Sequence, residues 1–261
     1  MTEKQRLDIE LFQRGFAPSR EKARGMIMAG EVLVNGEMKD KPGLRITDDD
    51  VLTVKSKPQF VSRGGEKLAG ALEDFVFEVS GLICADVGAS TGGFTDCLLQ
   101  NDATKVYAID VGYGQLDFRL RQDARVVVME RTNARYIEQL DEPIDLVVVD
   151  ASFISLRLLL PPIKNWLKPT GSVIALIKPQ FEAGKSDVGK GGVVRDPDIH
   201  TRVIQEISAF SEDTGFYIQG LTLSPLKGPA GNIEFLIYLT KDQNISVEFD
   251  LEKRIYEILS L

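Results

Sequence analysis

Short apolar runs recur along the chain after residue 80, and polar segments long enough to form helices separate most of them. A continuous run of Val, Ile, Leu and Ala is typical of a strand that is buried on both faces of a parallel sheet. The pattern therefore predicts an α/β fold in which strands and helices alternate. A helix is expected at residues 65–75, followed by seven strands at 82–87, 105–110, 125–129, 144–149, 173–177, 216–223 and 233–239.

The last two predicted strands are separated by about nine residues, which is too short for the helical crossover that parallel neighbours need. We therefore predict a mostly parallel seven-stranded sheet whose last strand is antiparallel. Residues 241–261 predict a polar connection and one amphipathic helix, with Leu251, Ile255 and Ile258 on one side.

The first 57 residues have a different pattern. Apolar positions within residues 7–12 predict a short helix, and Ser19 is a favourable N-cap for a second helix at 20–28. Asn35-Gly36 predicts a tight hairpin turn. Two short strands complete this small α+β module, at residues 31–34 and 51–54.

The polar stretch Lys55-Ser56-Lys57-Pro58-Gln59 separates the two patterns. Exposed polar segments are typical of domain boundaries. We expect an N-terminal domain at residues 1–57, a linker at 58–61 and a larger domain at 62–261.

Charge is distributed unevenly along the chain, whose formal net charge is −8. Residues 1–57 hold eleven Lys and Arg against ten Asp and Glu, whereas the rest of the chain holds 20 against 29. Basic residues of the first domain cluster around its predicted second helix. A basic face on a nearly neutral module can bind phosphate even when the whole chain is acidic.

The chain has two cysteines and one histidine, His200, to which we assign no role. Structural zinc needs four Cys or His ligands, so no metal site is expected. A disulfide framework is not expected either, which suits the cytoplasm. No apolar run approaches the roughly 18 residues that span a membrane, and residues 1–10 lack the apolar core of a signal peptide. We therefore expect a cytoplasmic protein without membrane partners.

A glycine-rich segment follows the first predicted strand, in Asp86-Val87-Gly88-Ala89-Ser90-Thr91-Gly92-Gly93. Glycines at this point let the backbone turn tightly and approach a ligand closely. Ser90 stands where a dinucleotide motif requires its second glycine, which argues against NAD. Asp110 ends the second predicted strand, where a carboxylate can accept hydrogen bonds from ribose hydroxyls.

Charged side chains stand at the ends of three further strands. Asp150 ends the fourth strand, Lys178 ends the fifth, and Glu234 begins the antiparallel last strand. All three should meet at the carboxyl edge of the sheet, where open α/β sheets bind their ligands. Lys67, near the start of the first helix of this domain, could join them. Each residue also has a structural interpretation: Lys67 and Glu234 as surface charges, and Asp150 with Lys178 as an ion pair.

Residues 6–54 resemble the S-four-type (alpha-L) RNA-binding domain through Arg6-Leu7-Asp8, Gly15-Phe16-Ala17, Ser19-Arg20 and Val34-Asn35-Gly36. In that family two helices present basic side chains to the RNA backbone. The alternative is that these are solvated helix charges paired with Glu21 and Glu31. The resemblance implies an RNA-binding face made by Arg6, Arg14, Ser19, Arg20 and Arg24.

The glycine-rich segment and the acid that ends the second strand resemble Rossmann-like methyltransferases. In these enzymes the loop holds the methionine part of S-adenosylmethionine, the acid holds the ribose, and a residue after the third strand contacts adenine. The cofactor-binding residues that the resemblance implies are Asp86, Gly88, Ala89, Ser90, Thr91, Gly92, Gly93, Asp110, Asn133 and Asp150.

The set Lys67, Asp150, Lys178 and Glu234 resembles, in order and strand position, the Lys-Asp-Lys-Glu tetrad of FtsJ-type ribose 2′-O-methyltransferases. Methyl transfer to a ribose needs a positioned 2′-hydroxyl and a base for its proton. We assign the base to Lys178, and expect Asp150 to orient it and to face the positive side of the cofactor. Lys67 and Glu234 would orient the ribose and Lys178.

With both domains in this order, residues 6–240 resemble the TlyA (hemolysin A) family, which implies methylation of cytidine 2′-hydroxyls in ribosomal RNA and ribosomal RNA or subunits as partners. Three alternatives remain: a catalytically silent RNA-binding or ribosome-assembly factor, a membrane-active hemolysin, and a small-molecule methyltransferase.

The segment 184–196 is glycine-rich and charged, and is either a loop that closes over RNA or a flexible surface loop. Nothing in the sequence indicates whether the protein is a monomer or an oligomer.

Overall fold

The computed structural model describes residues 4–55, 58–245 and 249–260. Ser56 and Lys57 of the polar stretch between the domains and residues 1–3 lie outside the described residues, as do 246–248 and 261. The chain divides into two compact units, Met1–Pro58 and Gln59–Leu261.

Over its described residues, 4–55 and 58, the first unit contains two helices and two small antiparallel sheets. The two predicted helices, the hairpin turn and the predicted strands at 31–34 and 51–54 are confirmed. Three strands of two residues each, at 5–6, 37–38 and 45–46, were not predicted because they are too short for a periodic pattern. The elements are β1 Gln5–Arg6, α1 Leu7–Gln13, α2 Arg20–Met28, β2 Val32–Val34, β3 Glu37–Met38, β4 Arg45–Ile46 and β5 Leu52–Val54.

Local sequence chemistry explains the boundaries in the first unit. The Ser19 side chain accepts a hydrogen bond from the Lys22 backbone N–H at 3.2 Å and so caps α2. Asn35 and Gly36 have φ values of +52° and +81°, the left-handed pair that a two-residue hairpin turn requires. Leu7, Leu11 and residues of α2 and β2 are buried together in a core of this unit.

The second unit is an α/β domain with one seven-stranded sheet. Its strands are β6 Ile83–Val87, β7 Lys105–Ile109, β8 Val126–Met129, β9 Ile144–Val149, β10 Leu167–Ile177, β11 Tyr217–Leu223 and β12 Phe235–Thr240. Its α-helices are α3 Gly64–Asp74, α4 Gly93–Gln100, α5 Phe118–Gln122, α6 Leu160–Trp166, α7 Pro179–Glu182, α8 Pro197–Asp213 and α9 Leu251–Leu259. Single 3₁₀ turns lie at Ala134–Tyr136, Leu156–Leu158, Lys185–Asp187 and Gln243–Ile245.

The strand order is β11-β12-β10-β9-β6-β7-β8. Neighbouring strands from β6 to β10 pair in parallel, and among the described strands of this sheet β12 alone runs antiparallel to its neighbours on both sides, as predicted. Phe235 at the start of β12 pairs with Ile177 at the end of β10. Glu234 precedes β12 by one residue instead of lying in the strand, so the predicted strand began slightly too early.

β10 is longer than predicted. It begins at Leu167, and its pairing with β9 shifts register between Leu167 and Ser172. The intervening Lys-Pro-Thr-Gly has the composition of a turn, which is why the prediction started this strand at residue 173.

The sheet is covered on both faces. One face packs with α6, α8 and α9, and Trp166 of α6 is 2% exposed there. The other face packs with α3 and α4. Phe60, which falls in the expected linker, is 5% exposed in this second core. None of the helices in the described part of the chain combines the length and apolar character needed to cross a bilayer.

Candidate active site

Lys178 and Asp150 form a close ion pair at the carboxyl edge of the sheet. Lys178 Nζ lies 2.6 Å from Asp150 Oδ1. It also donates to the Asp150 carbonyl at 3.2 Å and to Ser152 Oγ at 3.1 Å. These three acceptors match the three N–H groups of a lysine ammonium. Lys178 is buried, so the three contacts fix the direction of its side chain.

Lys67 and Glu234 form a second buried pair. Lys67 Nζ lies 2.5 Å from Glu234 Oε2, and both residues are less than a tenth exposed. The other carboxylate oxygen, Oε1, accepts a hydrogen bond from Gln180 Nε2 at 3.2 Å. Burial of two charges is tolerated here because each is paired and hydrogen-bonded. Sequence reasoning did not assign a role to Gln180, although its place two residues after Lys178 could have suggested one.

The two ion pairs line the same large cleft, whose volume is about 810 Å³. The structure therefore brings together all four residues of the predicted tetrad, from three strand ends and one helix. The remaining wall of the large cleft is formed by the start of α3, the glycine-rich loop and two later loops. These include Ser62, Arg63, Gly64, Gly88, Ala89, Ser90, Thr91, Gly93, Gly191, Gly192, Asn232 and Lys227.

The glycine-rich loop is fitted closely against the end of β9. Gly88 has φ +87°, and a Cβ atom there would lie 2.8 Å from the Ala151 Cα atom and 2.9 Å from the Asp150 carbonyl carbon. Glycine is therefore required at this position both for its conformation and for space. Gly92 also has a positive φ, of +95°, and is the N-cap residue of α4. The loop thus lies within contact distance of the segment that carries Asp150.

Asp110 shapes the same loop. Its Oδ2 accepts a hydrogen bond from the Ser90 N–H at 2.8 Å, and its Oδ1 accepts one from the Gly112 N–H at 2.6 Å. A carboxylate has about four lone-pair sites and can accept further bonds from ribose hydroxyls. Asp110 lines a small cleft of about 290 Å³ together with Gly88, Ser90, Asn133, Asp150 and the apolar side chains of Ile109 and Leu159.

Asn133 lies at the small cleft, next to its apolar part. Its Oδ1 accepts a hydrogen bond from the Arg135 N–H at 3.1 Å and caps the short 3₁₀ turn that follows. The cap fixes the direction of the side chain.

Asp86 is fully buried beneath the glycine-rich loop. Its Oδ2 accepts hydrogen bonds from the Thr95 N–H at 2.9 Å and from Thr95 Oγ1 at 2.6 Å. Within the described part of the chain, its Oδ1 has no hydrogen-bond partner. Burial, reinforced by the nearby carboxylates of Asp150 and Asp110, raises the pKa of Asp86 to about 7.

This set of groups fits a sulfonium nucleoside with an amino-acid tail. The small cleft offers a carboxylate for ribose and an apolar wall for a base, and the loop offers bare backbone at Gly88 and only small side chains beside it. The carboxylate of Asp150 lines both clefts and supplies negative potential for a cationic tail, whereas Asp86 is fully buried and lines neither cleft. Among the described residues, no group of three or more His, Cys, Asp or Glu side chains is placed to hold a metal ion.

An aromatic pair stands at the mouth of the large cleft. Phe153 is 90% exposed and has φ +63°, an uncommon conformation for a bulky residue. Its ring lies 5.0 Å from that of Phe181, and the Phe181 ring in turn lies 5.9 Å from Lys178 Nζ. The sequence placed Phe153 close to Asp150, but it gave no signal that the ring would face solvent.

In the first unit, Arg6 and Arg20 converge on Asp8, which is fully buried. Their Nε atoms lie 2.9 and 3.1 Å from its carboxylate oxygens. Burial raises the pKa of Asp8, but the hydrogen bonds from Arg6 and Arg20 outweigh it and hold that pKa below its usual value. The two guanidinium groups are therefore fixed side by side while remaining 42% and 52% exposed.

Arg14 is directed inward. It pairs with Glu10 at 2.7 Å and donates to the Asp50 and Thr47 carbonyls at 2.8 and 3.1 Å. Arg24 is exposed on α2. The acids that pair with the predicted RNA-binding residues are thus Asp8 and Glu10, and not the Glu21 and Glu31 that the alternative interpretation named.

Two family models match the sequence. The FtsJ-like methyltransferase model matches residues 60–241, and the S4 domain model matches residues 5–52. The 16S/23S rRNA (cytidine-2′-O)-methyltransferase TlyA of Mycobacterium tuberculosis is 46% identical over 243 residues, which cover 92% of this chain and 91% of that protein. Hemolysin A of Brachyspira hyodysenteriae is 44% identical over 236 residues, covering 89% of this chain and 98% of that protein.

A solved structure from Streptococcus thermophilus, named for a hemolysin, is 45% identical and has a TM-score of 0.75; the match covers 100% of this chain and 96% of that one. The sheet order and the helices on both of its faces agree with a methyltransferase fold. The chain therefore belongs to the FtsJ-like methyltransferase family, in the group of S4-domain proteins that includes TlyA and hemolysin A.

Proposed function

We propose that this protein is a cytoplasmic ribosomal RNA 2′-O-methyltransferase that uses S-adenosylmethionine and acts on a cytidine ribose. The observation that carries the proposal is the assembly of Lys67, Asp150, Lys178 and Glu234 in one cleft beside the glycine-rich loop. The names of the TlyA relatives support ribosomal RNA and cytidine as the target. The proposed domains are 1–57 for RNA binding and 62–261 for catalysis, joined by 58–61.

The cofactor would supply an activated methyl group when bound. We assign its binding to the residues around the small cleft and the glycine-rich loop. Asp110 would accept hydrogen bonds from the ribose hydroxyls, and Asn133 would lie at the adenine end. Asp150 would face the positively charged methionine end from the cleft wall, and Asp86 would act on it from beneath the loop. The loop backbone at 88–93 would pass against the ligand without large side chains in the way.

Lys178 would first release one ammonium proton to solvent, and its neutral amine would then receive the proton of the ribose 2′-hydroxyl. It is buried and fixed by Asp150 and Ser152, so a hydroxyl in the large cleft meets a nitrogen of defined direction. Asp150 would stabilise the lysine once it carries the proton. Lys67 and Glu234, held at 2.5 Å from one another, would position the ribose from the opposite side.

The exposed basic side chains of the first unit would bind RNA phosphates, and Phe153 would offer a ring face on which a nucleobase can stack. Arg6, Arg20 and Arg24 are the candidates for phosphate contact. Ser19 would act by capping α2, and Arg14 by holding α1 to the loop at 47–50. The family resemblance implied a face in which Arg14 and Ser19 also contact RNA; here these two residues support the structure of the unit instead.

Replacing Arg24 and Arg14 separately tests that division. Arg24→Ala should weaken RNA binding several-fold and reduce the slope of log affinity against log salt by about 1, because one phosphate contact is lost. Arg14→Ala should instead destabilise the first unit by roughly 1–3 kcal/mol, because two carbonyls and Glu10 lose their donor. Filter binding across a salt series measures the first effect, and hydrogen exchange of peptides from residues 7–28 measures the second. Equal effects of both variants on binding and exchange would contradict the assignment.

Asp86→Asn should have opposite effects on stability and cofactor binding. The free energy of unfolding of the wild-type protein should fall between about pH 4 and pH 7, because the folded state keeps a proton on Asp86 that the unfolded state has released. The amide cannot ionise, so if the two proteins are about equally stable at pH 5, the variant should be more stable at pH 8 by roughly 3 kcal/mol. Cofactor affinity at pH 8 should fall. Thermal unfolding at both pH values and calorimetric titration with S-adenosylmethionine check this, and unchanged cofactor affinity would remove Asp86 from the binding site.

The proposed function is tested by transfer of a tritiated methyl group from S-adenosylmethionine to ribosomal subunits that lack the modification. We expect label in the RNA fraction, and none in ribosomal protein. Cofactor binding without transfer to either subunit or to protein-free ribosomal RNA would contradict the proposal and favour a catalytically silent RNA-binding protein.

A further inference from the structure

A glycine-rich turn forms one wall of the large cleft without contributing side chains. Gly191 and Gly192 line the cleft, have φ values of +81° and +75°, and have no atom within 4 Å of where a Cβ would stand. An isolated bridge between Gly189 and Val193 closes the base of the turn. The wall is therefore bare backbone, which lets a substrate approach closely but gives the turn few side-chain contacts of its own.

Asn232 holds this turn from outside it. Its Nδ2 donates to the Gly192 carbonyl at 2.9 Å, and its Oδ1 accepts from the Val194 N–H at 2.9 Å. The residue is 2% exposed and also lines the large cleft. A primary amide is suited to this task because it offers a donor and an acceptor in one plane. The two bonds satisfy backbone groups on both sides of the turn's end.

Asn232 lies two residues before Glu234 on a segment that is itself braced. The Gly228 N–H donates to the Asn232 carbonyl at 2.9 Å, and the Ser224 N–H donates to the Glu234 carbonyl at 2.9 Å. Gly228 lies so close to Glu234 that an added Cβ would stand 2.5 Å from its Oε1. The position of Asn232 is thereby tied to that of the Glu234 carboxylate.

The carbonyl of Val194 is also held in place, through a residue that packs on β12. His200 Nε2 lies 3.2 Å from the Val194 carbonyl, and the His200 ring packs edge-on against Phe235 at 5.7 Å. Burial lowers the pKa of His200, so the neutral ring serves as a structural contact. Val194 is thus anchored through its N–H to Asn232 and through its carbonyl to a residue packed on β12.

We propose that Asn232 is a positioning residue that sets the 189–193 turn relative to Glu234, so that the wall of the cleft holds the target nucleotide against the Lys67–Glu234 pair. This inference rests on the proposed function. It makes residues 189–194, the anchored part of the segment 184–196, a fixed wall rather than part of a freely moving surface loop. Asn232 has no contact with the glycine-rich cofactor loop among its hydrogen bonds within the described residues, so its effect should fall on RNA and spare the cofactor.

The test is Asn232→Ala, with Asn244→Ala as the control for an exposed asparagine elsewhere in the domain. We expect Asn232→Ala to lower kcat/KM for the ribosomal substrate by about 10- to 100-fold, since a displacement of about 1 Å in a reactant has effects of that size. The Kd for S-adenosylmethionine should stay within about twofold. Asn244→Ala should leave all these values unchanged.

Limited trypsin digestion reports the turn without any methyl acceptor. Lys190 is exposed within the turn, and cleavage after it should accelerate by about fivefold or more in Asn232→Ala, because the turn opens more often. Equal cleavage rates in wild type and variant would overturn the inference. A similar loss of cofactor affinity and of kcat/KM for the ribosomal substrate would also overturn the inference, because such a result would indicate a general loss of structure. Absence of methyl transfer by the wild-type protein would overturn the proposed function, while the digestion would still report on the turn.

Discussion

Replacing Lys178 with arginine should slow methyl transfer as much as replacing it with alanine, by about 10²- to 10⁴-fold. Arginine keeps a positive charge beside Asp150 and Ser152, but a guanidinium stays protonated and cannot accept the proton of a 2′-hydroxyl. Alanine removes both the base and the ion pair. Comparing the two variants therefore separates the contribution of Lys178 as a base from the contribution of its positive charge beside Asp150.

Single-turnover rates with saturating cofactor measure the chemical step for each variant. Lys164→Ala is a suitable control, because Lys164 donates to the Thr214 carbonyl, outside the residues that line either cleft. Cofactor affinity of Lys178→Arg should be close to that of the wild type. If Lys178→Arg retained a rate within about tenfold of the wild type, a residue other than Lys178 would have to take the proton.

Gly88→Ala should destabilise the catalytic domain by more than about 2 kcal/mol and weaken S-adenosylmethionine binding by at least about tenfold. The reason is the combination of a positive φ with backbone atoms of Ala151 and Asp150 less than 3 Å from the new Cβ. The clash can be relieved only by moving the loop or the end of β9, and both belong to the proposed cofactor site.

Gly81→Ala provides a matched control. Gly81 has φ +80°, close to the +87° of Gly88, but nothing lies within 4 Å of where its Cβ would stand. The control should lose only the roughly 1–2 kcal/mol that a left-handed alanine costs and should bind the cofactor normally. Thermal unfolding and calorimetric titration of both variants check this. Equal cofactor affinities for the two would show that the close approach of loop and strand is not needed for binding.

The sheet could be predicted because its strands are long apolar runs with clear ends. The nine-residue connection before the last strand was enough to predict its antiparallel direction, which β12 confirms. That direction then brought Glu234 to the edge where Asp150 and Lys178 follow their strands. The start of β10 was missed because residues 168–171 resemble a turn, whereas in the structure Leu167 already pairs with Ile144 of β9 and regular pairing resumes at Ser172.

Side-chain contacts could be predicted much less well than the backbone. The sequence identified Arg14 as basic and close to a helix, but its inward direction depends on carbonyls at Thr47 and Asp50, more than thirty residues away. Asn232 and Gln180 likewise act through partners distant in sequence; their places two residues from Glu234 and Lys178 suggest nearness to the site but not which groups they contact. Such contacts are set by tertiary packing, which periodicity does not encode.

The most direct test of the proposed ribose chemistry is to locate the methyl group in ribosomal RNA that the protein has modified. Alkaline hydrolysis cleaves RNA through its free 2′-hydroxyls, so a ribose methylated at that oxygen survives within a resistant dinucleotide. We predict label in such a dinucleotide, with cytidine as its 5′ nucleoside by mass spectrometry. Label released on mononucleotides as a methylated base would contradict the assignment of ribose chemistry to the Lys67, Asp150, Lys178 and Glu234 site.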